Sequence, residues 1–493
     1  MAIAVFVACI LFLLSLLSLL LSSTKNHQFN LPPGPFNLPI IGNLHHFREL
    51  PHRSLHKLSQ KHGPLVYLKL GTVPTVLASS AEIAREFLKT HDLECCSRPS
   101  LTPTNKLSYG CRDVVFSPYD DQWRELRKLC ILNLFSPKKI ASFRSIREEE
   151  VDRMIRSIYS QQNLEVNLSE EVMLLANNIT CRTSLGKRYY SGEGATRILK
   201  ETQALFMGFF FADYVPTLGW LDKFTGMRER LEENFRELDG FFQRVIDEHL
   251  DPLRKGDTRD EDVVEALLDL RRWGRDVSDE HIKGVLMNIF VAGSDTSSAT
   301  LDWTMAELMR NPEVMRKAQN EVRRIIRNKE KVVESDLDQL HYMKSIVKES
   351  LRLHSPVPLL VQRETIQHFK INGYDIPAKT RLLINMWTIG KDGDVWENPE
   401  EFYPERFIDS SVDFRGQHFE LIPFGAGRRI CPGLNSGMLV VELALANLLY
   451  LFDWEMPNGM TKNEINMSES PGVTVHRRFP LRLQAKRFSG LQK

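Results

Sequence analysis

The run PFGAGRRICPG at residues 423–433 constrains the fold more than any other stretch of this 493-residue chain. Its three glycines carry no Cβ, so they allow tight turns and a close approach of the backbone to a flat ligand. Apolar residues at helical spacing follow from Leu439 to Leu449, which predicts a helix that begins just after the loop. Cys431 lies beside two arginines, so it is expected to be a thiolate that binds a soft metal. The alternative is an ordinary buried cysteine.

The spacing within this loop is specific, because it fixes five residues in Phe424-x-x-Gly427-x-Arg429-x-Cys431-x-Gly433. At roughly 5% per residue type, it should arise by chance in about one chain in several thousand. The loop resembles the haem-binding loop of the cytochrome P-450 family. The resemblance implies that Cys431 is the axial thiolate ligand of a haem b iron, where it favours O–O cleavage. Phe424, Arg429 and Gly433 would then help to hold the haem.

The first residues predict a membrane anchor. Residues 2–21 are uncharged and almost wholly apolar, and about 20 such residues span a ~30 Å hydrocarbon core. No charge precedes the stretch and Lys25 follows it, so an uncleaved anchor at 1–23 is preferred to a signal peptide, with the rest in the cytosol. Residues 24–43 are rich in proline and predict a stiff hinge. No second linker follows, so residues 44–493 are predicted to form one haem-thiolate catalytic domain facing the cytosol from the endoplasmic reticulum.

Charge and cysteine content narrow the function classes. Lys and Arg number 64 against 63 Asp and Glu, so the net charge of +1 gives no sign of a nucleic-acid partner. Seven cysteines without a CxxC pair favour a reducing compartment over a disulfide framework.

Residue periodicity predicts a mainly α fold with a small β portion. The resemblance implies that this is the cytochrome P-450 fold, preceded here by one predicted N-terminal transmembrane helix. Strands are predicted at 66–71 and 75–78 and near 360–385 and 470–485. Amphipathic patterns predict helices at 81–89, 149–161, 196–211, 228–248, 263–270 and 278–310.

The longest predicted helix is interrupted by the run Ala292-Gly293-Ser294-Asp295-Thr296, whose residues are mostly poor helix formers. Such a break marks either a functional site or a simple polar notch. The run resembles the oxygen-binding segment of the family. The resemblance implies that Ala292 and Gly293 leave room above the iron, and that Asp295 and Thr296 relay protons.

Two further sets of polar residues match the family. The resemblance implies haem-propionate partners at Trp123, Arg127, Arg363 and Arg429. It also implies a buried structural triad of Glu349, Arg352 and Arg406, whose loss would abolish folding or haem retention. Many plant members have proline where this chain has Ser355 and Gln362, so the pocket shape here is expected to differ.

The implied reaction is monooxygenation of a lipophilic plant metabolite, since order and spacing are most similar to the plant microsomal A-type branch. Two electrons would pass from NADPH through a membrane-bound reductase, and Lys138 and Lys139 are candidates for its docking face. A terpenoid or phenylpropanoid is the expected substrate class. The alternatives are an O2-independent isomerase or dehydratase, and a non-catalytic haem- or lipid-binding membrane protein. The candidate pocket residues, each of which could instead be ordinary core, are Phe116, Phe206, Phe209, Phe290, Val357, Leu360 and Val473.

Overall fold

The computed structural model describes residues 29–48, 50–161, 164–189, 193–252, 262–327 and 329–490. The predicted anchor at 1–23 and the first residues of the hinge lie outside these ranges. The helices are α1 Pro51–His62, α2 Ala81–Arg85, α3 Thr102–Leu107, α4 Asp121–Asn133, α5 Pro137–Ser142, α6 Arg144–Ser160, α7 Leu168–Leu185, α8 Glu193–Phe206, α9 Phe211–Tyr214, α10 Met227–Leu250, α11 Val263–Arg272, α12 Asp279–Arg310, α13 Pro312–Ile325, α14 His341–Leu353, α15 Met386–Ile389 and α16 Leu434–Leu451.

Three small sheets account for the strands. They are β1 Leu65–Leu70, β2 Val73–Ala78, β3 Glu165–Asn167, β4 Arg363–Glu364, β5 Phe369–Ile371, β6 Tyr374–Ile376, β7 Arg381–Ile384, β8 Phe452–Glu455 and β9 Arg482–Arg487. The first sheet has the order β1-β2-β7-β4, with β2 and β7 parallel. The second has the order β3-β9-β8, and β5 pairs with β6. The mainly α architecture with a small β portion is as predicted.

The central helix α12 crosses the domain without a break, although its middle contains poor helix formers. It starts where predicted, because the hydroxyl of Ser278 accepts the N–H of His281 and the His281 ring accepts the N–H of Ser278. It ends at Asn311-Pro312, and Pro312 begins the next helix. The helix packs against α7, α14 and α16, so nearly all its surface is buried. This burial stabilises it despite the low propensity of its middle.

Two predicted boundaries were wrong. The helix expected at 196–211 ends at Phe206, two residues before Gly208, whose helix propensity is low, and the backbone is extended at Phe210. Of the strands expected near 470–485, only β9 forms, and a single bridge joins Glu469 to Arg477.

Within the described residues, one helix, Leu434–Leu451, is long and apolar enough to cross a membrane. Protein atoms bury 72% of it, as expected of a core helix that packs on α12.

Candidate functional site

The cysteine loop is shaped by two glycines with left-handed backbone angles. Gly425 has φ 69° and Gly427 has φ 67°. A Cβ at Gly427 would lie 2.5 Å from the carbonyl oxygen of Leu88, so the loop packs against its neighbour more closely than any side chain allows. The N–H of Cys431 donates to the carbonyl of Phe424 at 3.0 Å and closes the loop. Gly433 has φ −85°, so it is not kept for a left-handed turn.

Cys431 differs from the other described cysteines because it alone is exposed; the buried ones are Cys95, Cys96, Cys111, Cys130 and Cys181. Protein atoms nevertheless surround its sulfur densely. Burial therefore raises the pKa of the Cys431 thiol, while the N–H groups of Gly433 and Leu434 and the charge of Arg127 act to lower it. A bound metal cation would offset the remaining cost of the thiolate.

Four arginines converge around this loop and are called the arginine cluster here: Arg98, Arg127, Arg363 and Arg429. Arg363 donates through Nη1 to Asp92 Oδ1 at 2.8 Å and through Nη2 to the carbonyl of Ala426 at 2.6 Å. Arg127 donates to the carbonyl of Ile430, the residue before the cysteine. Sequence patterns far apart along the chain thus meet at one place.

Arg98 is a member of the cluster that sequence reasoning missed. It is buried, and its Nε–H donates to the carbonyl of Val115 at 2.9 Å, while Nη1 donates to Gln362 at 2.6 Å. Burial, with the charges of Arg429 and Arg363, lowers the pKa of Arg98 well below its usual range. The Ser97-Arg98-Pro99 sequence carries no periodicity or spacing that would have singled it out.

Arg429 is held on three sides but keeps one donor free. Nε donates to Cys96 at 2.8 Å and Nη2 to Ser117 at 2.7 Å, both at backbone carbonyls, whereas the buried Nη1 has no partner among the described residues. The guanidinium carbon lies 3.7 Å from the ring centroid of Trp123. Burial and the charges of Arg363 and Arg127 lower the pKa of Arg429 to about 9.

The arginine cluster fits a ligand with two carboxylates. Four guanidinium groups converge here, and the buried carboxylates that face them are those of Asp92 and Asp113, so the positive groups outnumber these two carboxylates. Asp92 is moreover shared with Arg428. Buried charge without a counter-ion is strongly unfavourable, and the two propionates of a haem would supply both that counter-charge and an acceptor for Arg429 Nη1.

Trp123 contacts the cluster through its ring, which lies against Arg429. Its indole N–H donates to the carbonyl of Val114 at 2.9 Å. The contact of Trp123 with a haem propionate stays a prediction.

The middle of α12 places a polar pair and an exposed alanine side by side. Ala292 is exposed although the adjoining turns of α12 are buried, so this turn lines an open space inside the fold. The Thr296 hydroxyl, partly exposed, donates to the carbonyl of Ala292 at 2.8 Å. Asp295 is buried, and its Oδ1 lies 2.8 Å from Nε2 of His476. A Cβ at Gly293 would lie 2.9 Å from Thr180 Oγ1, so this glycine lets α7 pack against α12.

The predicted triad forms a buried network. Glu349 accepts two bonds from Arg352, both at 2.7 Å, and one from Arg406 Nε at 3.0 Å. Both Glu349 and Arg352 have 0% exposed side chains. Arg352 also donates to backbone carbonyls of three residues between 390 and 401. The network therefore joins α14 to the loop before residues 404–407.

The candidate pocket residues do not share one environment. The rings of Phe116 and Phe206 are 5.2 Å apart. Phe290 is buried against Phe241 and Phe242, which is the position of a core residue. The remaining four, Phe209, Val357, Leu360 and Val473, are exposed or partly buried.

Ser355, which differs from the branch pattern, is buried, and its hydroxyl has no hydrogen-bond partner in the described part of the chain.

This mainly helical domain presents one cysteine in a glycine loop, beside buried arginines that suit two carboxylates. These are the features of a haem-thiolate protein. The cytochrome P450 family model matches residues 32–479. The chain belongs to the cytochrome P450 family, as its sequence motifs predict.

Curated plant relatives and solved structures agree with this assignment. The chain is 51% identical to cytochrome P450 71A9 of Glycine max over 97% of both chains. It is 51% identical to strychnine-11-hydroxylase of Strychnos nux-vomica, over 92% of this chain and 91% of the relative. A zebra fish cytochrome P450 structure with abiraterone superposes with a TM-score of 0.75 at 24% identity, over 90% of this chain and all of the other. That structure supports the fold alone.

These comparisons confirm several predictions. The protein is a cytochrome P450 monooxygenase of plant specialised metabolism with the cytochrome P450 fold. Its cofactor is a haem whose iron takes a cysteine thiolate ligand.

Proposed function

We propose that this monooxygenase uses Cys431 as its axial haem ligand and, with O2 and electrons passed from NADPH by a reductase, oxidises a lipophilic plant metabolite. The observation that carries the assignment of the ligand is the exposure of Cys431, in a loop that donors and the arginine cluster surround. Its five described counterparts are buried, so they are poorly placed to bind a metal.

The arginine cluster orients the haem by its propionates. Arg429 Nη1 is a donor without a partner among the described residues, so it could bind a carboxylate, and Arg363 lies between Asp92 and the cysteine loop, where it would add positive charge. The haem, when bound, supplies the activation of O2 and its insertion into a substrate bond. The protein's own task is to hold the haem, exclude bulk water and deliver protons.

We infer that Asp295 and Thr296 on α12 deliver protons to the reaction. Thr296 has a partly exposed hydroxyl, which donates to the carbonyl of Ala292 and would present a proton to O2. Asp295 precedes it directly in the sequence, but its side chain is buried and pairs with His476. We assign Thr296 as the group that presents the proton and Asp295 as the acid that replenishes it.

The substrate class is narrowed by the aromatic pair Phe116 and Phe206, which offers an apolar surface. These two rings are tilted by 33° to each other and only partly buried, and apolar side chains of this kind suit a lipophilic or aromatic metabolite such as a terpenoid or phenylpropanoid. The relative named strychnine-11-hydroxylase adds strychnine to the compounds to be tested.

Attachment to the endoplasmic reticulum membrane is supported by large exposed aromatic side chains at one end of the domain. Phe36 precedes a segment that pairs with the β1–β2 turn, and the same turn receives Tyr214, which comes just before Trp220 and Phe224. Exposed aromatic residues of this kind suit a lipid surface. Phe36 also follows the predicted N-terminal anchor closely in the sequence, and the domain would lie in the cytosol.

Turnover in microsomes tests the proposal. The protein is expressed with a plant reductase, given a metabolite panel that includes strychnine, and the products are analysed by mass spectrometry under isotopically labelled O2. A product that gains one labelled oxygen and requires NADPH and reductase is expected. A product that forms without O2 would instead favour the isomerase or dehydratase, and haem or lipid binding without any product would favour the non-catalytic alternative.

A further inference from the structure

A short C-terminal hairpin, residues 468–478, lies along α12 and is called the strap here. Ser470 and His476 are joined by a backbone hydrogen bond of 2.8 Å, as are Arg478 and Ser468. The indole N–H of Trp303 on α12 donates to the carbonyl of Val475 at 2.9 Å. These contacts fix the strap, so the position of His476 is set by the backbone and not by its side chain alone.

His476 connects the buried carboxylate of Asp295 with solvent. Its Nε2 lies 2.8 Å from Oδ1 of Asp295, and no other ion pair of Asp295 is present among the described residues. The Asp295 side chain is 9% exposed, whereas that of His476 is 28% exposed. The imidazole therefore covers the carboxylate while keeping part of its own ring in water.

The charges around His476 favour its protonated form. The groups that face it are Asp295 and Asp302 on α12, and the neighbouring Arg477 is paired with Asp302 at 3.7 Å. Burial alone would lower the pKa of His476, but the hydrogen bond and charge of Asp295, with the charge of Asp302, outweigh it and raise the pKa above 6.5.

We propose that His476 is a positioning residue for the oxygen chemistry, which orients Asp295 and exchanges the proton of that acid with solvent. The imidazolium gives its Nε2 proton to the Asp295 carboxylate, and a proton from water then restores the imidazolium, so no other reactant is consumed. This inference rests on the proposed role of Asp295 and Thr296. It explains how an acid enclosed in the core is resupplied.

The first test measures the pKa of His476 directly and needs no His476 variant. Exchange of the imidazole C2 hydrogen, followed by mass spectrometry of peptides from the holoprotein, gives a titration midpoint for each histidine. The midpoint of His476 is expected above 6.5 in the wild type and lower in Asp295→Asn. An unchanged midpoint in that variant overturns the proposed coupling.

The second test follows catalysis in His476→Gln, which keeps a hydrogen-bond donor but cannot titrate. Product formed per NADPH is expected to fall about tenfold, short of the roughly 10²–10⁴-fold that a direct acid contributes, because water still reaches Asp295 slowly. The pH dependence between 6 and 8 should flatten, and the solvent deuterium isotope effect should rise. A wild-type pH profile and isotope effect in this variant overturn the inference.

The matched control is His368→Gln. His368 lies 2.8 Å from Asp375 in an equivalent His–Asp pair on the surface, so its loss should leave the pH profile unchanged. The Asp295→Asn variant distinguishes the role of His476 from the proton role of Asp295. If Asp295→Asn is impaired while His476→Gln behaves as wild type, the role of His476 is refuted alone; if Asp295→Asn also behaves as wild type, the proposed proton role of Asp295 is refuted.

Discussion

Replacing Glu349 by alanine removes the only carboxylate in the buried network with Arg352 and Arg406. The Arg352 side chain is 0% exposed, and its carbonyl partners at Gly390 and Glu401 stay in place. Those carbonyls still accept from Nη1 and Nη2, but Nε–H loses its acceptor and the charge is not neutralised. The variant therefore leaves a guanidinium enclosed by protein without a counter-ion.

The expected cost follows from that arrangement. Breaking a buried ion pair by removing one partner costs about 3–5 kcal/mol, and Glu349 also accepts the N–H of Tyr403 at 2.9 Å. A loss of this size is a large fraction of the free energy of unfolding of an ordinary domain. Because the network packs beside the 397–406 loop, we expect Glu349→Ala to yield little folded holoprotein.

Urea unfolding measures the effect, with circular dichroism reporting helix content and the Soret band reporting haem retention. The control is Glu313→Ala, because Glu313 and Arg316 form a pair with the same i,i+3 spacing but with side chains 75% and 64% exposed. Exposed pairs contribute little, so the control midpoint should match the wild type. Equal midpoints for Glu349→Ala and Glu313→Ala would refute the argument from burial.

Three further variants test local features. Gly427→Ala should lose haem, because its Cβ would lie 2.5 Å from a backbone oxygen; Gly274→Ala, at φ 76° with open space around it, is the control. Ser355→Ala should raise the free energy of unfolding by about 1 kcal/mol, since it removes a buried hydroxyl without a partner; a lower value contradicts this. Burial would raise the pKa of Glu469, but hydrogen bonds from His52 and Arg53 outweigh this effect and lower the pKa to about 2. The stability that wild type holds over Glu469→Gln should therefore be full above pH 4.5 and shrink as the pH falls toward 2, which urea midpoints at stepped pH would show.

The features that the sequence predicted best are those determined by residues close together in the chain. The loop around Cys431 has fixed spacing, and α12 is bounded by Ser278 and by Asn311-Pro312, whose effects act within a few residues. The helix expected to reach residue 211 ends at Phe206, two residues before Gly208, whose helix propensity is low. The apolar periodicity continues across this glycine, so the pattern alone placed the helix end too late.

Long-range partners were the features that sequence could not supply. Asp92 and Arg363 are 271 residues apart, and His476 and Asp295 are 181 apart, yet each pair is 2.8 Å apart in space. Arg98 lies in no motif that was recognised. The fold alone brings these side chains together, so the partners of these charged groups can be identified only once the packing is known.

The central claim is that Cys431 is the haem ligand, and the reduced, carbon monoxide-bound spectrum tests it most directly. Wild type is expected to show the red-shifted Soret band of a thiolate-ligated haem. Cys431→Ser is expected to keep bound haem through the arginine cluster but to lose that band, while Cys181→Ser, at a buried cysteine, keeps it. A red-shifted band in Cys431→Ser, or none in the wild type, would contradict the assignment.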